Sequence, residues 1–282
     1  MDYKLIKQEI ECQACASSKL EPVLDLGHQP LCNEFSPSNV AKVPQMFYPL
    51  CLYYCLECSL VQLGHVIPTS DTFGGQYTYL TGSSKSLVEY YDLLARTIFD
   101  QLCLNEGEVV VDIGSNDGTF LKSFQSLGLT VLGVEGAIQP AQAALEKGVP
   151  TIVDFFGPGI SRTIEDSLPE GSKVRLIVAM NVLAHTDNIN DFLAEVVGLM
   201  DQDTVLISQS HWLMELIRKF EFDTVYHEHL RYYTLGSLIN LFKRHGLNIS
   251  DVEIKDFYGG SILTYATKSK KHSSSKVLEI LD

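Results

Sequence analysis

Basic side chains are scarce in this chain of 282 residues: 21 Lys and Arg stand against 35 Asp and Glu, a formal net charge of −14. A polyanion is repelled by such a surface, which speaks against nucleic acid as a partner. The one cationic cluster, Lys268-Ser269-Lys270-Lys271-His272, is short and reads as solvated tail. Long apolar runs are missing too. The longest, Phe47 to Leu56, contains Pro49 and falls far short of the ~20 residues a bilayer span needs, so no membrane partner is expected. Met1-Asp2-Tyr3-Lys4 leads into mixed charge rather than an apolar leader. These absences lead us to expect a soluble cytoplasmic protein, whose seven cysteines are thiols or metal ligands rather than disulfides.

What is present is a core-forming chain, 45% hydrophobic, with one informative stretch at residues 109–121, VVVDIGSNDGTFL. Val109 to Ile113 reads as a buried parallel strand, Gly114 and Gly118 frame a tight turn, and Thr119-Phe120-Leu121 opens a helix. Such a unit sets bare backbone N–H groups beside a cofactor. A dinucleotide fingerprint needs glycine at position 116, where this chain has Asn116, so a nicotinamide enzyme is disfavoured. The turn suits the amino-acid end of S-adenosylmethionine better than a pyrophosphate.

Three further runs end in polar residues, as strands of an open α/β sheet do where they meet a ligand. Glu135, about 20 residues beyond the turn, is placed to accept both ribose hydroxyls. Asp154 and Phe155 follow Pro150–Val153 and suit an adenine amine and its face. Asn181 closes Val174–Asn181. The candidate cofactor residues are therefore Asp112, Gly114, Asn116, Gly118, Glu135, Asp154, Phe155 and Asn181.

Residues 1–80 hold six of the seven cysteines and are broken by Pro22, Pro30, Pro37, Pro44 and Pro49. Cys12-Gln13-Ala14-Cys15 and Cys55-Leu56-Glu57-Cys58 are two CxxC pairs, which together make a closed, structural S4 zinc site. The alternative is four buried or free thiols. Cys32 and Cys51 are spare, and Cys103 reads as core. A helix is expected near Ser84–Leu102, with Leu87, Tyr91, Leu94, Ile98 and Leu102 on one face and Ser83 or Ser84 as cap. Residues 107–268 alternate strand and helix, and Leu247–Thr267 reads as an antiparallel hairpin joined at Gly259-Gly260. The expected organisation is a zinc-binding domain at 1–80, a cofactor-binding domain at 81–268, and a linker and tail at 269–282.

Tyr226, His227, Glu228 and His229 place four functional side chains in a row within DTVYHEHLRYY, 223–233. In an extended segment, Tyr226 and Glu228 point one way, His227 and His229 the other. The spacing is not that of the helical H-E-x-x-H zinc motif, and an isolated H-x-H pair is a weak metal signal. General acid–base work and a hydrogen-bonded core cluster are the two main readings. His185, four residues after Asn181, and Tyr77 and Tyr79 are further candidates for the same pocket.

Taken together, these segments resemble the S-adenosylmethionine-dependent C-methyltransferases of nucleotide-linked deoxysugars. The resemblance runs collinearly through CQAC (12–15), QPLCNEF (29–35), YPL (48–50), CLECSLVQL (55–63), YTYLTGSS (77–84), DIGSNDGTFL (112–121), GVEG (133–136), NVLAHTDN (181–188), FDTVYHEHLRYYT (222–234) and YGGSILTY (258–265). It implies a Rossmann-like class I methyltransferase sheet with an antiparallel last strand, preceded by a small zinc-binding domain. It also implies a base at His229 with Tyr226, Glu228, a tyrosine of the YTY segment and His185 in its pocket. The acceptor would be a small molecule, a keto sugar on a nucleotide, enolised beside its ketone. A Tyr hydroxyl or an imidazolium aimed at the carbonyl oxygen would stabilise the enolate.

Two departures stand out. Most members continue through another α/β domain after the hairpin, so a truncated chain or a short member with a different acceptor is expected. Tyr258 occupies a position where many members have histidine. Methylation of oxygen or nitrogen, and a non-catalytic S-adenosylmethionine- or zinc-binding module, are the competing functional readings.

Overall fold

The computed structural model describes residues 7–8, 11–32, 46–68, 72, 77, 79–269 and 273–281. Residues 33–35 and Thr78 of the resembling segments, and Lys270–His272 of the cationic cluster, lie outside the described residues.

In chain order the N-terminal region carries strands β1 (Lys7–Gln8), β2 (Leu20–Gln29), β3 (Tyr48–Cys55), β4 (Val61–Leu63) and β5 (His65–Val66). Helix α1 (Lys85–Gln101) follows. Strands β6 (Val109–Ile113), β7 (Thr130–Val134), β8 (Thr151–Ile152), β9 (Val174–Met180) and β10 (Val205–His211) then alternate with helices α2 (Thr119–Ser126), α3 (Ile138–Glu146), α4 (Ile160–Ser167) and α5 (Ile189–Leu199). The remainder is α6 (Leu213–Lys219), β11 (Arg231–Tyr232), α7 (Leu235–Arg244), β12 (Asn248–Lys255), β13 (Ser261–Thr267) and α8 (Ser275–Leu281).

The large sheet has seven strands in the order β12-β13-β10-β9-β6-β7-β8. Six run in one direction, five of them paired in parallel ladders, while β13 runs antiparallel to its neighbours β10 and β12. All five residues of β6 are buried because helices cover both faces of a central parallel strand. Val109, Val111 and Ile113 join one apolar core, whereas Val110 joins the other with Tyr91, Leu94 and Ile98 of α1. Strand order reverses between β6 and β9, and the crevice above their carboxyl ends is where such sheets bind ligands.

A four-stranded sheet, β11-β4-β3-β2, carries the cysteine pairs. Its first strand comes from far along the chain: Arg231 and Tyr232 pair with Gln62 and Val61. Cys12, Cys55, Cys58 and Leu60 also share an apolar core with Leu235, Leu238 and Tyr233. The cysteine-rich region is thus joined to the α/β body by a shared sheet and a shared core.

Three local expectations change. Ser84 stands at the N-cap of α1, but its hydroxyl meets that of Ser86 instead of capping the backbone. Cys103 is exposed, in a left-handed conformation just past the helix, and not core. The segment expected as linker and tail contains α8, anchored by the Ser274 hydroxyl on Asp251, the Ser273 hydroxyl on the carbonyl of Ile249, and buried Val277. No helix among the described residues is long and apolar enough to cross a membrane.

Candidate active site

A cavity of about 1340 Å³ opens above the carboxyl ends of the parallel strands. It exceeds the usual volume of a single small-ligand pocket, roughly 300–1,000 Å³, and has room for a donor and an acceptor together. Asp112, Gly114, Asn116, Glu135, Asp154, Phe155 and Asn181 line it, as do Tyr77, Tyr79, His185, Tyr226, Glu228 and His229. Gly118 does not. Its φ of +71° starts α2, and a Cβ there would meet Val149 at 3.0 Å and Ala144 at 3.2 Å, so the turn packs closely at this point.

The glycine turn is held by its own acids. Glu135 accepts the backbone N–H groups of Asn116 (2.8 Å) and Ala137 (2.7 Å), which leaves further lone pairs for ribose hydroxyls. The Asn116 amide ties the turn to the segment before α1. Its Oδ1 accepts from Thr81 N–H at 2.8 Å, and its Nδ2 donates to the Tyr79 carbonyl at 3.1 Å. A Cβ on Gly114, whose φ is +69°, would lie 2.6 Å from Val182, and one on Gly136 would lie 2.4 Å from the Phe155 ring, so a side chain at either place would push its neighbour aside.

S-adenosylmethionine fits these residues. Asp112 Oδ1, Ser115 Oγ and Asn181 Oδ1 are buried without a hydrogen-bond partner among the described residues. Burial raises the Asp112 carboxyl far above its ordinary range, with the Glu135 charge adding to it, and burial raises Glu135 as well. A ligand carrying an ammonium and a sulfonium relieves both.

Opposite this end lies the tyrosine–histidine segment, and it is a turn rather than extended chain. His229 N–H bonds the Tyr226 carbonyl at 3.0 Å. The reversal brings Tyr226 and His229 to one side, with Tyr226 Oη 2.9 Å from His229 Nε2, and turns His227 away to the Tyr48 carbonyl at 3.3 Å. His229 Nδ1 lies 2.8 Å from the Thr224 carbonyl, an obligate acceptor. Nδ1 therefore carries the hydrogen, and the Nε2 lone pair accepts the Tyr226 O–H. Burial, then the neighbouring His185 and His211, holds His229 well below the usual histidine range. His185 is brought down to about 4, first by burial and then by His211, while its ring bonds the backbone of Glu228. Burial, then the Glu228 charge, raises the Tyr77 phenol. Both Tyr77 and Tyr79 reach the cavity, with their rings 6.4 Å apart.

His211 was absent from the candidates read off the sequence. It closes β10, lines the cavity, and its ring centroid lies 4.7 Å from that of His229. The rule that picked Asn181, a polar residue at a strand's carboxyl end, applies equally to Val205–His211.

The four cysteines of the two CxxC pairs converge, all Sγ atoms lying within 4.8 Å of one another. Zn–S bonds of about 2.3 Å in a tetrahedron imply sulfur separations of about 3.8 Å; Cys12–Cys58 and Cys15–Cys55 stand at 3.5 and 3.6 Å. The two knuckles repeat one turn: Ala16 N–H bonds the Cys12 carbonyl and Ser59 N–H the Cys55 carbonyl, with φ of +58° and +62°. The donor set fits a closed zinc site.

Residues 12–73 match the family described as "Putative zinc binding domain", and residues 87–252 match a methyltransferase domain. C-methyltransferase NovU of Streptomyces niveus is 32% identical over 256 residues, 91% of this chain; the chain spans 60% of the length of that relative. Among solved structures, the PH0226 protein from Pyrococcus horikoshii OT3 superimposes with a TM-score of 0.53 at 16% identity, over 71% of this chain and 99% of that one, a likeness of fold. The chain belongs to the methyltransferase-domain family, with a cysteine-rich zinc-binding module on its N-terminal side.

Proposed function

We propose that this methyltransferase transfers a methyl group from S-adenosylmethionine to the carbon beside the ketone of a nucleotide-linked keto deoxysugar, in the cytoplasm. The observation that carries the reading is the Tyr226–His229 pair, neutral and facing the cavity above the glycine turn. The name of the relative NovU, a C-methyltransferase, supports carbon as the site of transfer.

Bound S-adenosylmethionine would supply an electrophilic methyl group. Asp112, Ser115, Glu135 and Asn181 would hold it, with Asp154 and Phe155 at the adenine end. The protein's remaining task is to ionise a weak carbon acid. His229 keeps a lone pair at Nε2 because burial opposes its protonation. The Tyr226 hydroxyl passes its proton to Nε2 as it takes one from the acceptor carbon. His185 fixes the turn by its bond to the Glu228 backbone, and Glu228, Tyr77 and Tyr79 shape the wall around the acceptor.

The test is solvent deuterium exchange into a thymidine-diphosphate 4-keto-6-deoxyhexose, followed by location of the methyl group in the product by NMR. Exchange beside the ketone that drops about 10²- to 10⁴-fold in His229→Ala is expected. A methyl group on oxygen or nitrogen, or an unchanged rate in the variant, would overturn the reading.

A further inference from the structure

Three imidazoles meet at the acceptor end of the cavity, and two are already engaged. His229 donates from Nδ1 to the Thr224 carbonyl and accepts the Tyr226 hydroxyl at Nε2. His185 bonds the backbone of Glu228. The His211 ring makes no hydrogen bond with any described residue, yet it lines the cavity, tilted 53° to the ring of His229 at 4.7 Å and edge-on to Tyr258 at 6.3 Å.

The reaction proposed above puts negative charge on the acceptor's carbonyl oxygen, and something must receive it. No Lys or Arg is among the described residues lining the cavity. Fixed carboxylates, Glu228 and Asp223 among them, make matters worse for an oxyanion. The stabiliser must therefore be a neutral donor with an uncommitted hydrogen. Tyr226 gives its hydrogen to His229; the Tyr258 hydroxyl meets that of Tyr91 at 3.5 Å with either as donor, and Tyr77 and Tyr79 reach the same cavity from the segment before α1. His211 is the imidazole left over, at the end of a central strand, paired with Ser261 of β13 two residues beyond the last β9 pairing at Gln209.

We infer that His211 is a catalytic residue, donating an N–H to the ketone oxygen of the acceptor while the Tyr226–His229 pair removes the neighbouring carbon-bound proton. The assignment rests on the C-methylation reading. The balance is complete without another reactant. The C–H electron pair becomes the enolate double bond, the carbonyl π pair moves to oxygen, and the proton passes to the Tyr226–His229 pair. The new carbon–carbon bond then forms as the methyl group leaves sulfur, and the oxygen's pair restores the ketone. Burial keeps His211 neutral, so it donates without surrendering its proton.

The experiment uses the 282-residue chain, S-adenosylmethionine and the thymidine-diphosphate 4-keto-6-deoxyhexose. His211→Leu and His211→Met remove the donor, and His211→Gln restores one. Deuterium exchange and kcat should fall about 100-fold or more in the donor-less variants. KM for the sugar and the affinity for S-adenosylmethionine should stay within about threefold, and His211→Gln should recover at least a tenth of the wild-type rate. The assignment is overturned when a donor-less variant exchanges at the wild-type rate, when the whole loss appears in KM or donor affinity, or when His211→Gln is no better than His211→Met. A wild-type chain that exchanges nothing sinks the C-methylation reading itself, a result distinct from each of these.

Discussion

Arg231 offers the sharpest test of how the catalytic turn is held. Its side chain is 2% exposed and its guanidinium donates to three carbonyls: Leu183 (3.3 Å), Thr186 (2.6 Å) and Asp187 (3.0 Å). That loop carries His185, while Arg231 itself sits on the strand that completes the cysteine-bearing sheet. In Arg231→Met the Leu183 carbonyl keeps the Tyr233 hydroxyl at 3.1 Å, but those of Thr186 and Asp187 lose this charged donor. Hydrogen bonds to charged groups contribute about 1.5–3 kcal/mol each, so two lost bonds predict a destabilisation of about 4 kcal/mol. For a chain of this size that is a fall in Tm of roughly 7 °C. Urea denaturation followed by fluorescence should show a lower midpoint at unchanged slope. Arg231→Lys keeps the charge without the planar fork and should fall between the two. A loss in Arg231→Met below about 1 kcal/mol would refute the reasoning, since it would mean the Thr186 and Asp187 carbonyls are satisfied without the guanidinium.

Two further outcomes follow from the same geometry. Metal analysis of the purified protein should find one zinc per chain, and Cys55→Ser should lose it together with a marked drop in Tm; a zinc-free, equally stable wild type would remove the S4 site from consideration. His185, lowered to about 4 by burial and then by His211, is unprotonated in the folded protein where the unfolded chain binds a proton. Its contribution is nil above about pH 7 and becomes a loss of up to about 1.4 kcal/mol per pH unit as pH falls from about 6.5 toward 4. Asp112 and Glu135, whose carboxyls are raised, act in the opposite sense, so the quantity to measure is the difference in pH dependence between wild type and His185→Gln. Parallel curves for the two proteins would refute the assignment.

Patterns of local origin were the legible ones. The apolar run of β6, the glycine turn, the polar residues at strand ends and the CxxC pairs all express themselves within a few residues; β6 is buried throughout, Gly114 and the strand-end residues line the cavity though Gly118 does not, and the four thiols converge. What stayed hidden depends on distant partners. Strand β11 is two residues long and exists because β4 offers an edge to it. The direction of Tyr226 relative to His229 depends on a turn closed by a single backbone hydrogen bond, and reading it as extended put the two on opposite sides. Helix α8 has seven residues, too short to signal itself, and it stands by docking on β12. His211 carries no motif; only the sheet position of its strand marks it.

The pairing of β4 with β11 has a consequence for how the chain is made. The ribosome delivers Arg231 about 170 residues after Leu63, which at 5–20 residues per second is a delay of roughly 8–34 s. Throughout that interval the thiol quartet is already translated, but the sheet beside it keeps an open edge, able to accept any passing strand. Early capture of metal by the nascent chain would rigidify that edge while it waits, so zinc supply during translation should govern how much of the protein reaches its native form.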